Sequence, residues 1–132
     1  MNLMHFLRGY RKGGMDFSDI LKEAVDKVDG AVAAMILASD GIPVQEYVIE
    51  KLIDLTGLGA EASAMIRDVG YAAENLGLGQ AREFSIISDT CGIIMRKIND
   101  EYYLSLVIKP EGNYGKGRYV LKTMIPKIEH EF

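Results

Sequence analysis

The stretch that most constrains the fold is residues 58–78, LGAEASAMIRDVGYAAENLGL, whose periodicity predicts the longest helix of the chain. Leu58, Ala62, Met65, Val69, Ala72 and Leu76 recur at alternating spacings of four and three, so they share one face. Beside them, in the same rhythm, run Gly59, Ser63, Ile66, Gly70, Ala73 and Gly77, nearly all small. A glycine inside a helix costs about 1 kcal/mol against alanine, so glycines in register imply that something packs close to the backbone. Glu61, Arg67, Asp68, Tyr71, Glu74 and Asn75 fill the remaining arc, left for water or a partner. A helix apolar over more than half its girth has two packing partners. One is expected to be its own sheet and the other a second copy of the same helix.

The rest of the chain supplies that sheet and its second cover. Residues 16–29 read as a helix with Phe17, Ile20, Leu21, Ala24, Val25 and Val28 on one face, Asp16 as its cap and Asp19 suiting the dipole of its first turn. Residues 31–38, AVAAMILA, are continuously apolar and too short for a helix of their own, which predicts a strand buried on both faces. Asp40-Gly41 predicts a two-residue hairpin turn with positive φ at both positions. Residues 42–48 then form the returning strand, and Pro43 places it at a sheet edge. The connector 49–57 is expected to hold a helical turn at IEKLIDL, with Thr56 capping the long helix and Gly79 stopping it. Alternation over 82–89, 92–98 and 102–109 predicts an antiparallel meander. Asn113 then caps a last helix whose core face is Gly117, Val120, Leu121, Met124, Ile125 and Ile128, and which bends or ends at Pro126. The order is αββαβββα, an α+β arrangement in one domain over residues 15–132.

Residues 1–14, MNLMHFLRGYRKGG, stand apart, with three basic residues, no acidic ones and a closing glycine pair. Leu3, Phe6, Leu7 and Tyr10 share a helical face that would suit a basic amphipathic anchor. A helix this short is marginal in water, and Met15 after the glycines reads as an alternative start, so a flexible leader is the expectation. Membrane association is expected, if anywhere, only through this leader. A net charge of −4 argues against nucleic acid as a partner. One cysteine excludes a disulfide framework and a Cys-rich zinc site, and two histidines at opposite ends of the chain leave no metal cluster in view. A cytoplasmic setting without a cofactor is expected.

Catalytic patterns are looked for in vain. Residues 112–118, GNYGKGR, lack the spacing and the Ser or Thr of a phosphate loop and read as a glycine-rich turn into a helix. Cys91 has no histidine nearby to lower its pKa and reads as a half-buried small residue. Asp89 and Glu101 sit in turns, where acids are routine. Arg67, Arg82, Arg96 and Arg118 could each be imagined as an arginine finger for a GTPase, but a solvated surface charge is the favoured reading of all four. The chain is expected not to be an enzyme.

Three stretches in this order resemble the Roadblock / dynein light chain superfamily, especially its bacterial and archaeal members that regulate small Ras-like GTPases. They are VDGAVAAMILASDGIPV at 28–44, the long small-residue helix, and YYLSLVIKPEGNYGKGRYVLKTMIPKI at 102–128, with Asn113 and Gly115 in its turn and Arg118 in its helix. The basic leader and the somewhat long connector depart from the pattern. The resemblance implies a five-stranded antiparallel sheet of order 2-1-5-4-3, with the long helix on one face and the two terminal helices on the other. It implies a homodimer in which the third strand, with Phe84, Ile86 and Ser88, pairs with its copy while the two long helices pack together. Gly59, Ser63, Ile66, Gly70, Ala73 and Gly77 would then meet their copies, and Arg67, Asp68, Tyr71, Glu74 and Asn75 would form a two-fold platform for the GTPase. A small-molecule sensor module on a five-stranded sheet, or a pure scaffold subunit of a larger complex, are the alternative readings.

Overall fold

An unbroken apolar strand needs cover on both of its faces, and that requirement sets the architecture. The computed structural model describes residues 17–129, so the leader, Met15 and the capping role of Asp16 lie outside the described residues. Along the chain run α1 (Phe17–Asp26), β1 (Ala31–Ala38), β2 (Pro43–Val48), α2 (Leu55–Asn75), β3 (Glu83–Ile87), β4 (Gly92–Lys97), β5 (Tyr102–Ile108) and α3 (Tyr114–Ile128). The five strands form one antiparallel sheet of order β2-β1-β5-β4-β3. The two most apolar strands, β1 and β5, lie inside it, and the Pro43-bearing β2 takes an edge.

Each face of the sheet has its own core. On one side α1 and α3 set Phe17, Leu21, Leu121 and Met124 against Ile36, Ile94, Leu104 and Leu106. On the other, α2 sets Leu58 and Ala62 against Val32, Met35, Leu37, Met95 and Val107. The alternation along β5 makes this division, sending Leu104, Leu106 and Ile108 to the first core and Val107 to the second. The layered arrangement and the strand order are those the resemblance implied.

Several boundaries differ from expectation, each for a local reason. Helix α2 starts three residues before Leu58, because Asp54 caps it by accepting the Thr56 N–H at 3.1 Å. The cap is Asp54 and not Thr56. The connector forms no helical turn; its Leu52 and Ile53 are drawn against the α2-side core instead. The helix stops at Gly77 and not Gly79. Gly77 takes φ +72°, the Leu78 N–H reaches the Ala73 carbonyl at 2.9 Å, and the Gly77 N–H reaches that of Glu74 at 3.0 Å. The β1–β2 connection is a four-residue loop, Ser39-Asp40-Gly41-Ile42, in which the Gly41 N–H reaches the Ala38 carbonyl at 2.9 Å and only Gly41 has positive φ. Helix α3 runs through Pro126 to Ile128, since the fully buried Ile128 holds the final turn onto the core and the proline stays exposed. The first meander strand is three residues shorter than the alternation suggested and the other two are one residue shorter each, so Ile98 lies past the end of β4.

Candidate functional site

The small stripe of α2 splits into two environments. At its N-terminal end, Gly59 lies against the β1–β2 loop so closely that an added Cβ would collide with the Gly41 carbonyl oxygen. A Cβ on Gly41 would in turn sit 2.5 Å from the Gly59 carbonyl oxygen. Here the predicted close approach of a backbone exists, made by the chain itself. At the other end, a Cβ on Gly70 or Gly77 would meet nothing within 4 Å. Ser63, Ile66 and Gly70 are half-buried, Ala73 is buried, and Gly77 is exposed.

The main apolar stripe diverges in the same way. Leu58 and Ala62 are buried and Met65 packs against the core, but Ala72 is exposed and Leu76 is 72% exposed. Leu78, just past the helix, is 71% exposed. Beneath this outlying half of α2 runs an open groove of about 670 Å3, with Ile66, Val69, Gly70 and Tyr71 on its helix side and Phe84 and Tyr103 on its sheet side. The two rings stand 6.5 Å apart at 60°, a tilted pair. Burial pushes the Tyr103 hydroxyl above its usual pKa, so it stays neutral.

Strand β3 borders the groove and is the edge of the sheet opposite β2. Phe84 packs inward against the α2-side core, opposite Met95. Ile86, opposite Ile93, and Ile87 are exposed. Ser88 falls beyond the strand, where its hydroxyl donates to the Cys91 carbonyl at 2.9 Å and accepts the Thr90 and Cys91 N–H groups at 3.3 Å. Arg67, Asp68, Tyr71, Glu74 and Asn75 are all exposed on the outer arc of α2, with Tyr71 at 59%. The structure therefore brings a tyrosine, three acids or amides and one arginine together on one surface. That set can steer and grip a basic protein patch.

Two of the four arginines are not solvated charges, a correction to their sequence reading. Arg96 bonds Glu83 across the β3–β4 pair at 3.1 Å, and Arg118 reaches the Ser85 hydroxyl at 3.0 Å and Glu83 at 3.6 Å. Arg67 and Arg82 are exposed. Cys91 is fully buried rather than half-buried, and burial raises its thiol pKa. Among the described residues no group of three or more His, Cys, Asp or Glu could hold a metal ion, and no helix is long and apolar enough to cross a membrane. Sequence reasoning missed Leu78 and Ile87 on this surface; the signals were an apolar residue between two glycines and a paired isoleucine at a strand end.

No family model matches the sequence, and no curated protein matches it. Solved structures do. MglC from Myxococcus xanthus is 34% identical, with 89% of this chain and all of that one covered and a TM-score of 0.64. MglB from Myxococcus xanthus is 12% identical over 92% of this chain and 90% of that one, with a TM-score of 0.77. A Roadblock/LC7 domain from Streptomyces avermitilis is 15% identical over 88% and 97%, with a TM-score of 0.76. The last two share the fold, and the first shares sequence along its whole length. By element order, strand order and these likenesses together, the chain belongs to the Roadblock/LC7 family.

Proposed function

We propose that the protein is a homodimeric, non-enzymatic regulator of a small Ras-like GTPase. The single observation that carries this reading is the uncovered apolar surface along one side of the domain: Leu76, Leu78, Ile86 and Ile87 exposed, Gly70 with open space above it, and the groove between them. Several large apolar side chains left uncovered beside an open groove mark a protein interface. It lies where a second copy would set its own α2 beside the first and its β3 against the β3 edge. Pairing β3 with its copy satisfies the edge hydrogen bonds, which an isolated sheet leaves to water. Ser88, committed to its own turn, contributes backbone rather than side chain to that contact. Dimerisation leaves the Arg67–Asn75 arcs side by side, and the GTPase docks there.

Light scattering tests the first half: the wild type should have twice the chain mass, and a Leu76→Glu/Ile86→Glu variant the single mass with its fold retained by circular dichroism. Titrating the protein into the Ras-like GTPase encoded nearest its own gene tests the second. Saturable binding, with or without a change in GTP turnover, supports the reading; a dimer that binds no such GTPase overturns it.

A further inference from the structure

On the side of the sheet away from α2, the charge reverses. Helix α3 carries Lys116, Arg118, Lys122 and Lys127 and no acidic residue, in a chain whose net charge is −4. A second groove, of about 590 Å3, lies between α3 and the adjoining ends of β3 and β4. Four cations line it, Arg82, Arg96, Lys97 and Lys122, against two acids, Asp100 and Glu129. Asp100 is already taken by Lys97 at 2.9 Å. Glu83, at the back of Arg96, is shared between Arg96 and Arg118, so that cluster too holds surplus positive charge. Arg82 and Lys122 are exposed and pair with no carboxylate among the described residues.

The fold holds the charged ends of Arg96 and Lys97 and the backbone of Arg82, while the Arg82 and Lys122 heads stay open to a partner. The Arg82 carbonyl accepts the Lys97 N–H at 2.8 Å, which pins Arg82 to the end of β4. The Lys97 ammonium is held between Asp100 and the Gln80 side-chain amide oxygen, Oε1, at 2.8 Å. Ile125 and Pro126 give the α3 wall an apolar part. A concave site with fixed cations and an apolar strip suits an extended chain bearing carboxylates and an occasional apolar side chain. Arginine recognises carboxylates bidentately, and their partial burial strengthens the contact. The cations line one short groove with two acids beside them rather than the continuous basic stripe that a nucleic-acid backbone needs. A membrane surface favours cations on a convex, apolar-tipped face rather than inside a groove.

We propose that this groove docks an acidic, extended segment of a second protein, on the side of the sheet opposite the α2 surface. The groove borders the one beneath α2, with Gln80 and Lys97 lining both, but its Arg82, Arg96 and Lys122 belong to this groove alone.

The test uses the full chain and a short fluorescein-labelled peptide of alternating Glu and Ser with one central Leu, followed by anisotropy at low and physiological salt. Arg82→Glu/Lys122→Glu should weaken binding about tenfold or more, and Arg82→Gln/Lys122→Gln by less, as expected for close charge pairs. Lys51→Glu/Lys116→Glu changes the net charge equally outside the groove and should bind within about twofold of wild type. All variants alter exposed side chains and should melt as the wild type does. Equal weakening by both Glu pairs, or wild-type binding by the groove pair, overturns the proposal. Failure to bind the peptide while binding phosphatidylglycerol vesicles or single-stranded DNA overturns it in favour of those partners.

Discussion

The two halves of α2 carry the same kind of residue for different reasons. In the N-terminal half, Gly59 is small because the Gly41 carbonyl lies against it, and Leu58 and Ala62 beside it are buried. In the C-terminal half, nothing among the described residues comes within 4 Å of a Cβ added at Gly70 or Gly77, and Leu76 is exposed. One half is explained by the domain alone. The other is explained only if a further surface arrives. A stripe of small residues therefore records close packing without recording against what.

Substitutions can break this comparison. The largest effect is expected at Gly59. Gly59→Ala gains about 1 kcal/mol of helix propensity but forces the loop backbone aside, and overpacking against backbone should leave a net loss of about 2 kcal/mol. The melting temperature should fall by roughly 10 °C. A melting curve that rises instead would show that the loop yields freely. Gly70→Leu should behave in the opposite way. A dilute sample should melt no lower than the wild type, because the site is open in the single chain and leucine favours the helix. At high concentration it should remain monomeric by light scattering, since a leucine between two helices costs about 1–3 kcal/mol of overpacking. A dimer of unchanged stability would place the partner elsewhere.

Smaller effects sharpen the outer arc of the same half. Tyr71→Ala should weaken GTPase binding by about 2 kcal/mol, roughly thirtyfold, if the exposed ring is an anchor. Asp68→Lys should change the affinity less, slowing association and altering its salt dependence in stopped-flow measurements. Both residues are exposed, so neither variant should shift the melting curve. Wild-type binding by both would move the partner site away from α2.

Most of the fold was legible because its signals are local. The apolar face from Phe17 to Val25, the unbroken β1 run and the Asn113 cap depend on residues a few positions apart, and each is found where the pattern put it, although α1 ends at Asp26 and leaves Val28 buried in the turn beyond it. The end of α2 was misread for the opposite reason. Leu76 and Leu78 prolong the apolar rhythm, and only the backbone reversal at Gly77 reveals that this glycine ends the helix. Gly59 and Gly70 were indistinguishable in sequence, because the residue that separates them, Gly41, is far away along the chain. Arg96 looked solvated because its partner Glu83 becomes a neighbour only through the β3–β4 register. The proposed interaction surface was legible as a helix face and illegible as a groove, since Phe84 and Tyr103 join it from separate strands.

The contact between Gly41 and Gly59 also limits how this sequence can drift. Most tight contacts allow a compensating pair: one residue grows while its neighbour shrinks. Here each glycine would strike the other's carbonyl oxygen, an atom that no substitution removes. Neither position has a smaller residue to offer in exchange. The two sites thus cannot trade volume, and a change at either can be rescued only by moving the loop as a whole, through insertion or deletion around Ser39 and Asp40.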